Sequence, residues 1–157
     1  MAPGQTFEAG RYRVTALRAR HAEEQQALLY LVERGGRSAL YAADTRAFHG
    51  ETWAVLERLS DEGVRLDAAI VEGTMGFKEL PANGQHLPMR GCGEHHEQLR
   101  SRGLTTPGCR HLATHFSPAA GRPPHEETAA FLAPYGAEPA YDGMEGGLGV
   151  APAAWFS

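Results

Sequence analysis

Four side chains with metal-binding chemistry follow predicted strand ends or lie in a loop of this sequence. His21 closes the first predicted strand, Asp44 closes the third, and His115 closes a later one. His86 lies in a loop rich in glycine and proline. Three neutral imidazoles and a carboxylate are ligands that suit Zn²⁺, Fe or Mn. The set indicates a metal site; the alternative is that these histidines are scattered, solvated or satisfied within a core.

A carboxylate can bridge two cations because it has two oxygens, which makes Asp44 the candidate for a bridging ligand. Two metals about 3.5–4 Å apart can clamp both the attacking and the leaving oxygens of a displacement. The chemistry that this set would support is therefore hydrolysis at a two-metal site.

The elements that must position these residues alternate between strands and helices. Alternating or continuous apolar runs predict strands, and apolar residues at helical spacing predict helices. The predicted strands cover 11–20, 27–32, 38–43, 67–71, 110–114, 138–141 and 145–150, and the predicted helices cover 51–59, 94–102 and 125–132. Residues 75–93 and 117–124 are predicted loops, and 151–157 a loose tail.

Two local patterns set the topology. Gly35-Gly36 between two apolar runs predicts a β-hairpin. The strand, helix and strand that follow in order predict a βαβ unit. We therefore expect an α/β fold, with a mixed sheet and flanking helices, in a single unit spanning residues 1–157.

Composition bounds the function and the compartment. The 157 residues carry 15 Lys and Arg against 19 Asp and Glu, a net charge of −4. This balance does not indicate nucleic-acid binding or a membrane surface, since both need a basic field, but it allows a small anionic substrate held by a metal. The sequence shows no signal-peptide core and no apolar run of about 20 residues. With Cys92 and Cys109 interpreted as free thiols, we expect a cytoplasmic protein.

Four segments, taken in order, resemble the second half of a metallo-β-lactamase-fold metal-dependent hydrolase. The branch they are most similar to contains the phosphoribosyl cyclic phosphodiesterases and the ribonuclease Z-like tRNA-processing enzymes. The segments end in His21, contain Asp44-Thr45, contain Thr114-His115-Phe116-Ser117, and contain Tyr141-Asp142-Gly143. The resemblance implies part of an αββα sandwich and hydrolysis of a phosphodiester or related ester by a metal-bound hydroxide.

The resemblance also implies a role for each residue. It makes His21 a ligand of the first metal, Asp44 the bridging ligand, and His115 a ligand of the second metal. His86 matches a histidine that faces the substrate and protonates the leaving oxygen, with His95 and His96 as alternatives for that role.

Other polar residues have two interpretations each. Asp142 matches a residue that orients a ligand imidazole, or it is a turn residue before a glycine. Glu72 could also orient a ligand, but a solvated charge is the favoured interpretation. Arg90 and Arg122 could contact a phosphate, although surface solvation is again favoured.

The sequence lacks the family's HxHxDH motif, which supplies four metal ligands and lies N-terminal to the segments matched here. The chain therefore corresponds to the C-terminal part of such a domain. The matched residues leave each metal with two protein ligands, whereas a stable zinc site needs three or four. We expect weak or no metal binding and no activity by this chain alone. We also expect an exposed apolar face at 27–32, with an N-terminal half or a homo-oligomer as partner.

Two other hypotheses remain open at this point. One is a degenerate, non-catalytic binding module on the same scaffold, which has lost its metals. The other is an unrelated α/β domain with incidental histidines, which predicts that His21, Asp44, His86 and His115 lie far apart. The fold alone does not choose among phosphodiester, lactone, thioester and β-lactam substrates.

Overall fold

A computed structural model describes residues 1–21, 26–78, 84–120 and 123–147 of the chain. In chain order the strands and helices are β1 (Thr6–Ala9), β2 (Tyr12–Arg18), β3 (Leu28–Arg34), β4 (Arg37–Ala42), α1 (Gly50–Asp61), β5 (Leu66–Glu72), α2 (Met89–Ser101), β6 (Thr105–Thr114), α3 (His125–Leu132) and β7 (Glu138–Pro139). Short 3₁₀ helices follow β6 and α3. The expected mixed α/β architecture is confirmed.

The seven strands form one sheet in sequence order, from β1 at one edge to β7 at the other. The first four strands pair antiparallel through hairpins, and β4 to β7 pair parallel through helical crossovers. Because β2 and β4 both pair antiparallel with β3, they run in the same direction as β5 and β6. The carboxyl ends of β2, β4, β5 and β6 therefore lie along one side of the sheet, which we call the site rim.

The helices all contribute to the core on one face of the sheet, here called the inner face. Strand residues alternate between faces, and the inner positions of β3 and β4 are buried. One cluster joins inner-face residues such as Leu31 and Leu40 to Leu59 of α1, Leu99 of α2 and Leu132 of α3. Each fully buried leucine contributes roughly 1.5–3 kcal/mol, so this cluster fixes the helices on the sheet.

The last five residues of the predicted loop 75–93 are helical instead, because α2 begins at Met89 rather than at residue 94. The glycines that suggested a loop are required for close packing instead. A Cβ at Gly93 would lie 2.6 Å from the ring of Tyr135, and one at Gly91 would lie 2.9 Å from Leu87. Glycine therefore lets neighbouring segments approach α2, at a small cost in helix propensity.

Two other sequence predictions differ from the structure at the chain ends. The strand β1 was not predicted, and residues 145–147 form no strand. The remainder of the predicted strand 145–150 and the tail 151–157 lie outside the described residues. The predicted hairpin, the βαβ unit and the helix 125–132 agree with the structure.

Within the described residues, no helix has the length and apolar character needed to cross a membrane. Cys92 is buried, Cys109 is half-buried, and both are free thiols, as predicted. Burial raises the pKa of the Cys109 thiol to about 12, so this thiol stays protonated at neutral pH.

A buried pair of histidines joins α2 to β6 and sets a pH dependence of stability. The Nδ1 atoms of His96 and His111 lie 3.0 Å apart, and His96 is fully buried. Burial, with the neighbouring His111 as a smaller cause, lowers the pKa of His96 to about 3, and burial lowers the pKa of His111 to about 4. Both folded-state values lie below the unfolded value, so the unfolded chain binds more protons between these limits.

We predict that the free energy of unfolding contributed by the neutral His96–His111 pair is fully present above about pH 6.5 and is lost as the pH falls toward 4. The loss is about 2 kcal/mol for His96 alone at pH 5. Urea unfolding at pH 7.5 and pH 5 measures the loss. His96→Asn, which cannot titrate, flattens the decline, whereas the exposed His125→Gln leaves it unchanged. An identical decline in His96→Asn would contradict the assignment.

Candidate metal centre

The residues singled out from the sequence lie together at the site rim. Asp44 follows β4, Glu72 ends β5, and His115 follows β6, so three neighbouring parallel strands deliver one side chain each. His86 enters from the loop before α2, and His21 follows β2. Loops at the carboxyl ends of parallel strands are where α/β proteins assemble their sites. The hypothesis of unrelated, distant histidines is therefore contradicted.

Asp44 and His115 share an unusual backbone conformation. Among the described residues they are the two non-glycine residues with a positive φ, and in both φ is 61°. Such a conformation is uncommon outside glycine and persists where surrounding contacts impose it. The chain therefore turns sharply just after each of these two strands and directs a polar side chain to the rim.

Backbone hydrogen bonds hold the Asp44 turn in place. The backbone N–H of Arg20 donates to the hydroxyl of the buried Thr45 over 2.9 Å, and the N–H of Arg46 donates to the Arg20 carbonyl over 2.7 Å. Farther along the loop, the N–H of Phe48 donates to Nε2 of His95 over 3.1 Å. The turn is thus tied to both β2 and α2, and this rigidity positions Asp44.

Glu72 is the buried centre of the site, with a fully buried side chain. Its Oε1 accepts the backbone N–H of Leu87, and its Oε2 accepts the Thr74 hydroxyl over 2.9 Å. Oε2 also lies 3.2 Å from Nδ1 of His86 and 3.4 Å from Nδ1 of His115. A buried carboxylate is costly unless it is hydrogen-bonded, and here three segments supply its partners.

These contacts orient the two histidines. The Thr74 hydroxyl has one proton, which it gives to Glu72, so at 2.7 Å it accepts from Nδ1–H of His115. His86 likewise directs Nδ1 at the Glu72 carboxylate. In both rings Nε2 is then the nitrogen with a lone pair. A histidine held through one nitrogen by a carboxylate network is the arrangement that prepares the other nitrogen for a metal or a proton.

Asp44 joins the cluster from the exposed side. Its Oδ1 lies 3.2 Å from Nε2 of His21 and 3.4 Å from Nδ1 of His86, and its side chain is 55% exposed. The rings of His21 and His86 are 5.3 Å apart, and those of His86 and His115 are 5.8 Å apart. The rim therefore presents three imidazoles and two carboxylates around one opening to solvent.

The donor set fits a divalent cation. Asp44, Glu72, His86 and His115 each offer one ligand atom, and these four atoms lie within 4.8 Å of one another. Nitrogen and carboxylate oxygen donors in this number suit Zn²⁺, Mn²⁺ or Fe, so a candidate metal site is present without a choice of metal. Two of these four, Asp44 and His115, were predicted as metal ligands together with His21, and His86 was predicted as the histidine that faces the substrate. The expectation of weak or no binding by this chain alone stays a prediction.

Other residues named from the sequence lie elsewhere. The favoured interpretation of Glu72 as a solvated charge is wrong, because β5 delivers it into the core of the site. Asp142 is exposed in a turn and lies outside the donor group. His95 and His96 are buried in α2, where His95 bonds the Gly91 carbonyl and His96 contacts His111 of β6, so His86 is the one of the three at the opening. Arg122 lies outside the described residues.

A groove of about 520 Å³ opens beside His115, because the next residue, Phe116, forms part of its wall. Pro124 and His125 at the start of α3 and Tyr141 after β7 line the other side. Tyr141 is 55% exposed. The groove offers space for part of a small molecule whose reacting group lies at the rim.

The chain thus combines a seven-stranded mixed sheet with a candidate metal site at the ends of its parallel strands. Residues 1–131 match the model of the beta-lactamase superfamily domain, and the chain belongs to that family. No match was found among curated proteins.

Solved structures agree on the fold. The metallo-beta-lactamase fold protein YhfI from Bacillus subtilis is similar with a TM-score of 0.66 and 17% identity, over 92% of this chain and 52% of that one. Zn²⁺-bound PqqB from Methylobacterium extorquens has a TM-score of 0.60 and 17% identity, over 92% and 53%. Igni18, a metallo hydrolase from Ignicoccus hospitalis, has a TM-score of 0.58 and 12% identity, over 89% and 55%. This chain thus spans about half the length of these structures.

We predict that Glu72→Gln lowers the affinity for zinc by roughly 10–100-fold. The amide keeps one acceptor oxygen, so either the Leu87 N–H or the Thr74 hydroxyl and His86 lose their acceptor, and the histidines are no longer held in place. A zinc titration against a chromogenic chelator measures the change. The control is Glu51→Gln on α1, which alters an exposed ion pair between Glu51 and Arg18 of β2. Equal zinc affinity in the wild-type chain and Glu72→Gln would show that the buried carboxylate does not organise the site.

Proposed function

We propose that the metal centre belongs to a hydrolase that cleaves a phosphodiester or a related ester. The observation that supports this most is the convergence of Asp44, Glu72, His86 and His115 at one rim of the sheet. The finer assignment, to the branch of phosphoribosyl cyclic phosphodiesterases and ribonuclease Z-like enzymes, rests on the segments quoted from the sequence. Membership of the superfamily and the metallo hydrolase among the similar structures support the broader class.

Asp44 and His115 would hold the metal, with His21 beside Asp44 as a further ligand. A bound divalent cation supplies positive charge that stabilises the negative charge developing on the reacting ester. Asp44 is the bridging candidate because its carboxylate has two oxygens, is exposed, and lies beside both His21 and His86. The metal itself, zinc, manganese or iron, is left open by the donor set.

His86 would hold the proton that the leaving oxygen receives. Glu72 accepts from Nδ1 of His86 and directs Nε2 toward the opening, where a leaving group can lie. For this role the ring must carry a second proton, on Nε2, which it gives to the leaving oxygen. His86 is 27% exposed, so a substrate can reach it.

A non-catalytic binding module on the same scaffold is the alternative function. The arrangement around Glu72 disfavours it, since a buried carboxylate with two oriented imidazoles is expensive to keep without a charge to balance it. A cytoplasmic location and a small anionic substrate remain predictions, and the net charge of −4 allows such a substrate where a metal holds it.

Hydrolysis of bis(p-nitrophenyl) phosphate tests the proposal. We expect background rates from this chain alone, and zinc-dependent turnover when it is co-expressed with an HxHxDH-containing N-terminal half. Nitrocefin and p-nitrophenyl acetate test the competing β-lactam and carboxylic ester chemistries. Faster turnover of either of these substrates would overturn the phosphodiester assignment. Full activity of this chain alone would overturn the prediction that it needs an N-terminal half.

We predict that His86→Gln lowers kcat of that co-expressed protein by roughly 100-fold or more while its zinc content is unchanged, because general acid catalysis contributes about that much. Asp44→Asn is the comparison, since it should lose zinc and activity together. If His86→Gln also loses its zinc, His86 is a metal ligand and the proton-transfer role is wrong.

A further inference from the structure

The groove beside His115 lies on the inner face of the sheet, on the same side as the helices. Pro139 of β7 pairs with Ala113 of β6, a residue of the inner-face core, and Phe116 packs against that core. The start of α3, a helix that contributes Leu132 to the same core, forms another wall. The opening of the groove is therefore independent of what covers the other face of the sheet.

The groove is held in a fixed position relative to the metal centre. The backbone N–H of Ser117 donates to the carbonyl of Thr74 over 3.3 Å, which ties the segment after β6 to the turn after β5. Thr74 is also the residue whose hydroxyl lies between Glu72 and Nδ1 of His115. Phe116, which lines the groove, is the residue between His115 and this backbone hydrogen bond. A molecule in the groove therefore lies beside the ligands of the candidate metal site.

The described lining of the groove is uncharged. It consists mainly of proline and aromatic side chains, and none of the described lining residues is a lysine, arginine, aspartate or glutamate. The Thr128 hydroxyl donates to the Pro124 carbonyl over 3.0 Å, so its proton is already used within α3. His125 and Tyr141 supply the other polar side chains of this lining. The groove thus offers much apolar surface and few polar side chains to a ligand.

His125 and Tyr141 give the groove an aromatic surface. Their rings meet edge to face, with centroids 5.8 Å apart and an angle of 81° between the planes. Tyr141 is 55% exposed and His125 is also exposed, so neither ring is buried in the core. Exposed aromatic rings attract a further ring through offset stacking or edge-to-face contact. The volume of about 520 Å³ lies within the range of small-molecule sites.

Acidic side chains next to the groove disfavour a negatively charged ligand. Glu126 and Glu127 are exposed in the first turn of α3, and Asp142 is exposed directly after Tyr141. The two glutamates complement the positive end of the helix dipole, which would otherwise attract an anion. The groove is therefore suited to a flat ring that carries no negative charge.

We propose that this groove is a subsite for an aromatic ring without negative charge, carried by the substrate next to the ester that the metal centre cleaves. The identity of that ester rests on the proposed function, whereas the preference for the ring rests on the groove. The substrate class narrows to a small diester whose one negative charge lies at the phosphate and whose substituent is aromatic. A polynucleotide is disfavoured, because its further phosphates would lie near Glu126 and Glu127.

Nitrogen-15 NMR titrations of the full, metal-free chain test the subsite with benzamide, benzamidine and benzoate, which share one ring and differ in charge. We expect benzamide and benzamidine to shift the amides of His125, Thr128 and Tyr141. Benzoate should bind at least roughly 5-fold more weakly than benzamide, because it meets like charges at the edge of the groove. No shift at these amides with any ring, or benzoate binding as tightly as benzamide, would overturn the proposal.

Two variants separate the role of the ring contact from that of the charges. Tyr141→Ala should weaken benzamide binding by roughly 3–10-fold, the usual range for one aromatic contact. Tyr41→Ala is the matched control, since Tyr41 of β4 is 50% exposed and does not line the groove. The double variant Glu126→Gln, Glu127→Gln should bind benzoate more tightly than the wild-type chain does. Equal effects of the two tyrosine variants, or no gain for benzoate, would overturn the proposal.

Binding of these probes needs neither metal nor turnover, so failure of the subsite and failure of the proposed function are separate results. In the co-expressed protein, Tyr141→Ala should raise KM for bis(p-nitrophenyl) phosphate and leave kcat unchanged, because the ring contact is made outside the reacting group. A lower kcat at unchanged KM would overturn the binding role of Tyr141. Ring binding without any phosphodiester turnover would support the subsite and overturn the proposed function.

Discussion

The fully buried carboxylate of Glu72 is the constraint on which the site depends. A carboxylate removed from water must be compensated, and its partners here come from the turn after β5, the loop before α2 and the end of β6. Satisfying one buried charge therefore fixes three loops against each other. The same contacts engage Nδ1 of His86 and of His115. The position of Glu72 therefore determines which nitrogen of each ring is left to bind a metal or carry a proton.

The rim itself follows from the topology. Three parallel strands end side by side, and two of them end in residues with a left-handed backbone. The strain at Asp44 is balanced by hydrogen bonds from neighbouring elements to its loop, including one to His95 of α2. The packing of α2 on the inner face therefore helps to position Asp44. The pair of His96 in α2 and His111 in β6 supports that packing and is not part of the metal centre.

Much of this could be predicted from the sequence where the signal is local. The Gly35-Gly36 hairpin, the βαβ unit and the helix 125–132 follow from turn chemistry and apolar periodicity, and all three agree with the structure. The start of α2 could not be predicted, because its glycines make close contacts that only the folded chain reveals. The family resemblance pointed to His21, Asp44, His86 and His115, and the structure places them together.

The buried role of Glu72 was the less favoured of its two interpretations for a physical reason. A glutamate at the end of an apolar strand is equally compatible with solvent and with a buried network, and the choice depends on partners distant in sequence. Thr74 two residues later was the one local signal, since a hydroxyl beside a carboxylate can share its hydrogen bonds. The expected exposed apolar face at 27–32 is only partly right. Leu29 and Leu31 are buried against the helices, while Leu28, Tyr30 and Val32 are half-buried on the opposite face of the sheet.

Nitrogen-15 NMR of the histidine side chains tests the central claim most directly. The account predicts that His115 and His86 carry their protons on Nδ1 in the metal-free chain, and that added zinc shifts Nε2 of His115 while His95, His96 and His111 do not respond. A proton on Nε2 of His115, or a zinc response confined to His95, His96 and His111, would contradict it.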